Sequence, residues 1–460
     1  MSLSVSYVKN VVFNMAIHPI EYRYCSEDMK SVFEEEAKLQ TWLDVESALA
    51  RAHAKLGSIP KKAAEEIAQK ASTKFVTVKK VREIDNQIHH DLMAMVKALT
   101  EVAGDSGRYV HYGATSYDIE DTALALQLRD AIKVIEKDLE KLKSTLAMLT
   151  KKYRDVVCIG RTHGQHAVPT TYGLKFANWL CEIQRDTERL AQTKERILVG
   201  KMTGAVGTQA TFGEDARKLQ SIVMKDLGLK PVMVSTQVIQ RDRHAELVFV
   251  LALIGSTLEK IAKELRNLQR TEIGEVLEKF GDKQVGSSTM PQKRNPWKSE
   301  NVCSLARVLK SHVMVALDNN PLEHERDLTN SANERIIFAE SFMLLDFMLR
   351  RMNGILESLE LDQKNITKNL ELTKGLAMSE KIMIALVRKG MGRQDAHELL
   401  RRSAMESYEK GEPLKEILLR NPEVKKRFTE EEIDNYLDPR NYIGTAREQV
   451  DEVLKTIGKK

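Results

Sequence analysis

Aromatic residues are scarce in this chain of 460, at 5%, and there are only four cysteines. Cys25, Cys158, Cys181 and Cys303 stand far apart with no CxxC pair, so neither a disulfide framework nor a zinc site is indicated and a reducing cytoplasm fits. No apolar run reaches the length of a membrane span. The opening MSLSVSYVKNVVFN lacks a signal-peptide core. Met15 begins a more conventional start, MAIHPIEYRY, so residues 1–14 are expected to be a misassigned start or a loose extension. Neither sign of charge is in large excess: 71 Lys and Arg against 66 Asp and Glu leave +5. A solvated surface of mixed charge explains that total without nucleic acid. A local basic pocket for an anionic substrate would not show in it. Strand patterns are short, as at Val156–Ile159 and Val232–Val234. The plentiful residues are Leu, Ala, Lys, Glu and Met, a mix that favours helix.

Two segments carry the clearest periodicity. Leu128, Ile132, Ile135, Leu139, Leu142, Leu146 and Leu149 alternate at spacings of four and three, and so do Leu247, Leu251, Ile254, Leu258, Ile261, Leu265 and Leu268. Such spacing places seven side chains on one helical stripe. It predicts long helices packed nearly parallel, as in a bundle. A helix from Arg243 to Glu275 would be about 50 Å long at roughly 1.5 Å per residue. Further helices are expected over about 170–199, 296–317 and 332–359. The fold class is therefore all-α, with three helical domains: 1–112, a central long-helix bundle over 113–364, and a small C-terminal domain over 365–460. Most of the Gly, His, Ser, Arg and Asn lie in the breaks between helices, where rigid scaffolds usually present functional groups.

One break is dense in polar groups. From Gly286 to Pro296 the chain reads GSSTMPQKRNP, with three hydroxyls, a lysine and an asparagine entering a helix at the proline. Backbone amides near a helix N-terminus add positive potential. Such a loop suits a carboxylate and the negative charge developing beside it. On chemistry alone, a polar surface loop is an equal reading.

The string resembles the GSSxMPxKxNP signature of the fumarase/aspartase superfamily. The resemblance implies β-elimination that releases fumarate, a few cycloisomerases excepted. It also implies a long-helix bundle assembled as a tetramer, with active sites that combine segments from three subunits. Other segments are similar to the adenylosuccinate lyase family within it. They are His111-Tyr112-Gly113-Ala114-Thr115-Ser116, the GRTHGQHA run from Gly160 to Ala167, Ser235-Thr236-Gln237 followed by Gln240-Arg241-Asp242-Arg243-His244, and Arg326-Asp327 with Ser331, Glu334 and Arg335. Arg23-Tyr24 is similar to an Arg-Tyr pair of the same family. The likeness runs in order over about residues 18 to 460.

Histidine is well suited to give a proton near pH 7. His163 and His166 lie three apart in a Gly-rich turn, and no Cys, His or carboxylate cluster nearby completes a metal site. The resemblance makes His163 the general acid on the departing purine nitrogen. It places His90 beside it on the substrate, with His89 and Asp91 adjoining, and has Glu300 orient and polarise a histidine. Spacing does not choose between Ser287 and Ser288 as base; the resemblance favours Ser287. A hydroxyl is a poor base unless its alkoxide is stabilised, a task for Lys293 and loop amides. Lys293 and Asn295 would hold the aci-carboxylate, and Thr115, Ser116 and Thr162 the second carboxylate, with His111 among the binding residues. Gln237 would contact the succinyl part, while Arg23, Tyr24, Arg326, Ser331 and Arg335 would hold phosphate and ribose. Arginine suits phosphate through its planar fork.

The resemblance implies a small nucleotide substrate, no cofactor, no metal, no nucleic acid or membrane partner, and a cytoplasmic location. Two positions depart from the pattern: His89 stands where many relatives have Arg, and Gln292 stands where argininosuccinate lyases often have Gln. An argininosuccinate lyase, or a non-catalytic structural protein on the same fold, are the competing expectations.

Overall fold

A computed structural model describes residues 18–279, 289–290 and 292–457. The expectations for residues 1–14 and for Ser287 and Ser288 lie outside the described residues. Helices dominate, and the strands among the described residues form three two-stranded sheets. The all-α expectation holds.

The two leucine-rich stripes belong to the helices Ser116–Lys152 and Asp242–Leu268, and none of their fourteen residues is more than 3% exposed. Three more long helices, Tyr172–Ile197, Trp297–Asp318 and Ser331–Glu357, fall where they are expected. The helix expected to reach Glu275 stops at Leu268, where the stripe ends. Beyond it the chain turns through Gly274 at φ 58° and enters a short strand, Val276–Leu277. That positive φ suits glycine, which has no Cβ to clash.

The strand expectations shift as well. Val157–Thr162 (β1) pairs antiparallel with Gln165–Thr171 (β2) in a hairpin, longer than Val156–Ile159 alone. Its turn is His163-Gly164 rather than the Asn-Gly or Asp-Gly that marks hairpins in sequence. Near Val232–Val234 the paired residues are Lys230 and Pro231, beside Val199 and Gly200.

The chain divides into two compact units. The first holds residues up to Ile135, Thr193–Leu251 and Ser311–Phe347. Its core includes Leu43, Leu49, Met95, Leu99, Ile119, Leu219 and Met224. The second holds Glu136–Gln192, Ala252–Lys310 and the chain from Met348 onward. There, neighbouring helices are tied by Thr257 to Asp186, Lys175 to Glu264, Thr145 to Asn353 and Arg351 to Asn301. Farther along the chain, Ile382, Leu386, Leu400, Leu418 and Phe428 form a separate small core.

Candidate active site

In the first unit, four helix ends and two loops surround an open pocket of about 630 Å³. The helix Val78–Ile88 ends at His89 in a left-handed conformation, and the next helix, Asp91–Val102, is N-capped by His90, whose Nδ1 accepts from the Met93 amide at 3.4 Å. The sharp reversal between the helices puts His89, His90 and Asp91 in the pocket wall. Ser116 and Tyr117 enter from the first turn of Ser116–Lys152, while Ser331 and Arg335, one helical turn apart, enter from the start of Ser331–Glu357. Gln237 and Arg326 come from loops.

Arg326 is braced on two sides. Its guanidinium lies 3.6 Å from the centroid of the Tyr117 ring, and its Nη1 donates to Gln237 Oε1 at 2.8 Å. Gln237 Nε2 donates in turn to the Ala205 carbonyl at 2.9 Å, which fixes the amide. A cation over an aromatic face contributes about 0.5–2 kcal/mol. The Nε of Arg326 is buried without a partner among the described residues.

Arg335 pairs with Asp91, Nη1 to Oδ2, at 2.8 Å. Burial works against the Asp91 carboxylate, but Arg335 outweighs it and holds the group below the usual range. Lys38 lies close enough for burial and the Arg335 charge to lower its own pKa. Between these groups sits Glu120, pushed up to about 7 by burial and by Asp91, against the pull of Arg335 and Lys38. The pocket lining thus sets two arginines, Arg326 and Arg335, against four carboxyl groups, Asp85, Asp91, Glu120 and Asp327, with the Glu120 pKa near 7.

Tyr117, Glu120 and Lys38 were not among the expected site residues. Spacing offered a signal for two of them: Tyr117 follows the Thr115-Ser116 pair, and Glu120 lies four residues after Ser116 on the same helical face. Lys38 had none, being one of many lysines on an N-terminal helix.

Several expected residues lie elsewhere in the first unit. The His111 ring donates Nδ1–H to Glu46 Oε1 at 2.6 Å, and the His111 amide donates to Glu46 Oε2 at 3.0 Å. Burial disfavours the charged ring, yet Glu46 raises its pKa overall. Thr115 gives its amide to Asp118, whose carboxylate also takes the buried Lys201 ammonium at 2.6 Å and the amides of Thr203 and Gly204. Arg241 is fully enclosed by Asp121 and Glu334, an internal ion triad. Arg23 and Tyr24 close the first short helix, with Tyr24 edge-on to Phe347 at 5.3 Å, and do not line this pocket.

The second unit carries the other expected groups. Thr162 and His163 are exposed at the tip of the β1–β2 hairpin. His163 and Gly164 take φ values of 54° and 75°, the pattern of a type I′ turn. Lys293 is exposed, and its amide donates to the Met290 carbonyl at 3.1 Å. Asn295 is half-buried just before the helix Trp297–Asp318, and Glu300 is exposed on that helix's first turn.

With this geometry in view, the comparisons are specific. Residues 21–309 match the family model described as Lyase, and residues 375–453 match Adenylosuccinate lyase C-terminus. The chain is 59% identical over 443 residues to the adenylosuccinate lyase of Pyrococcus abyssi, covering 96% of this chain and 98% of that one. It is 53% identical to that of Methanocaldococcus jannaschii, covering 97% of each. The chain belongs to the adenylosuccinate lyase family. Among solved structures it resembles a fumarate lyase from Mesorhizobium sp. BNC1, with TM-score 0.88 and 32% identity over 95% of this chain and 99% of that one. A 3-carboxy-cis,cis-muconate lactonizing enzyme from Pseudomonas putida is as similar, with TM-score 0.88 and 33% identity over 96% of this chain and 99% of that one. The lyase and superfamily expectations are thereby borne out.

Proposed function

We propose that this lyase cleaves adenylosuccinate to AMP and fumarate, and removes fumarate likewise from succinylaminoimidazole carboxamide ribotide. The observation that carries this reading is the pairing of Arg326 and Arg335 with Ser331 in one pocket beside His89 and His90. Fumarase and aspartase substrates carry no phosphate and need no such end. The identities to named adenylosuccinate lyases support it independently.

In the proposed mechanism Ser287 removes the proton next to a carboxylate of the succinyl group. Lys293 and Asn295 hold the resulting aci-carboxylate. His163 protonates the departing nitrogen, with His90 on the substrate and Glu300 polarising a histidine. Thr115, Ser116 and Thr162 bind the second carboxylate, Gln237 contacts the succinyl part, and His89, Asp91 and His111 complete the binding set. Arg23 and Tyr24 join the phosphate end. They do not line the first-unit pocket, which fits a site assembled from several copies of the chain in a cytoplasmic tetramer, without cofactor. The three-domain division at 112 and 364 belongs to the same reading.

A spectrophotometric assay with adenylosuccinate and argininosuccinate tests this. Turnover of the first alone is expected; turnover of argininosuccinate alone, the outcome Gln292 would favour, sinks the proposal.

A further inference from the structure

His163 owes its place to a hairpin that its own ladder holds weakly. Beyond the pair Ile159–Pro169 the register slips, and only Arg161–His166 and Thr162–Gln165 pair before the turn. Gly160 stands at the slip, opposite Ala167 and Val168, and a Cβ there would lie 2.7 Å from the Val168 carbonyl oxygen. A bulge of this kind re-aims the strand that follows it. The tip also keeps His163, a residue with a Cβ, in the left-handed region, a state that persists only when its surroundings impose it.

The surroundings that impose it converge on one carboxylate. Glu275 is completely buried and forms an ion pair with Arg161, two residues before His163. Its Oε2 accepts from the Tyr172 hydroxyl at 2.6 Å, and its Oε1 accepts from Asn369 Nδ2 at 2.8 Å. Arg161 lies near the tip of β1, and Tyr172 directly follows β2. A single side chain therefore grips both strands. Glu275 is itself anchored, since its amide donates to the Leu268 carbonyl at 3.0 Å and its carbonyl accepts from the Asp362 amide at 3.0 Å. Three residues on, buried Glu278 accepts from the amide and hydroxyl of Ser299, next to Glu300. Among the described residues Arg161 has no opposite charge facing it besides Glu275, and its Nη1 is buried without a partner.

We infer that Glu275 is a positioning residue for the proton-transfer step: through Arg161 and Tyr172 it fixes the hairpin tip so that the His163 imidazole meets the leaving nitrogen. The inference rests on His163 being the acid. Glu275 touches no substrate, so its removal acts on the reacting geometry, where a misplacement on the order of 1 Å costs about 100-fold.

A double-mutant cycle reads this. Glu275→Gln is expected to lower kcat about 10- to 100-fold with KM unchanged. The same change in a His163→Gln background is expected to cause no further loss, because the group being positioned is gone. Tyr172→Phe, which removes one donor and leaves the ion pair, serves if Glu275→Gln does not fold. It should lower kcat by a smaller factor that also vanishes in the His163→Gln background. A role confined to stability would lower Tm with kcat intact. That result, or an equal loss of kcat with and without His163, would overturn the inference. The His163→Gln leg read alone reports on the acid assignment: full activity there removes the acid, and the positioning claim falls with it for a separate and visible reason.

Discussion

Arg326 and Arg335 in the first unit are braced by neighbours, one by Tyr117 and Gln237 and the other by Asp91. His163, Lys293 and Glu300 in the second are exposed, and backbone turns and helix starts hold them in place. The contrast fits the two roles proposed for these groups. A phosphate is recognised by charges held at fixed separation, and prior bracing lowers the ordering cost when the ligand arrives. A proton donor must reach an atom whose position changes during reaction, so it works from an accessible tip whose base is rigid. On the proposed roles, the binding arginines are held directly by side-chain partners, whereas His163 stands on a turn that the Glu275 side chain anchors at its base through Arg161 and Tyr172.

Replacing reacting groups should break the comparison most severely. His163→Gln is expected to lower kcat about 100- to 10,000-fold, the usual range for a general acid, with KM little changed in steady-state assays. Arg335→Ala should act in the opposite way. A lost charge-assisted hydrogen bond costs about 1.5–3 kcal/mol, so KM should rise about 10- to 100-fold while kcat holds. Gln237→Ala should be milder, raising KM about 2- to 10-fold, since it releases Arg326 from one of its two braces without removing charge. If Gln237→Ala instead lowers kcat alone, its proposed contact with the succinyl part outweighs its bracing of Arg326.

The smallest effect is expected from Glu120. With its pKa near 7, it is neutral below that pH and adds a negative charge beside Arg335 above it. KM for the phosphate-bearing substrate should rise a few-fold from pH 6 to pH 8, and Glu120→Gln should flatten that rise. Stability has a definite sign too. The folded pKa lies above the ordinary 4.5, so the folded state binds more protons than the unfolded state between about 4.5 and 7. The stability this group contributes therefore falls across that window as pH rises. Glu120→Gln should raise Tm more at pH 8 than at pH 5 in paired melting curves.

The long helices were legible because a leucine stripe is a local periodic signal, and its end at Leu268 marked the end of the helix better than the wider segment did. The hairpin was half-hidden, because His163-Gly164 is an unusual turn and Gly160 interrupts the alternation. Of the site, Ser116, Ser331, Arg326 and Arg335 were readable as motif positions and meet in one pocket with His89 and His90. Glu46 and Glu275 were not readable. Each pairs with a motif residue across 65 and 114 positions of chain, and only folding brings such partners together. The same holds for Arg241: its motif position says nothing of the carboxylates that enclose it.

The division between a phosphate-holding region and a reacting region can be tested by taking the phosphate off the substrate. The measurement is kcat/KM on adenylosuccinate and on its dephosphorylated nucleoside, for the unaltered protein, Arg335→Ala and His163→Gln. The account predicts that removing the phosphate costs the unaltered protein and His163→Gln the same large factor, and costs Arg335→Ala much less, because its phosphate contact is already gone. An Arg335→Ala variant that loses the same factor as the unaltered protein would contradict it.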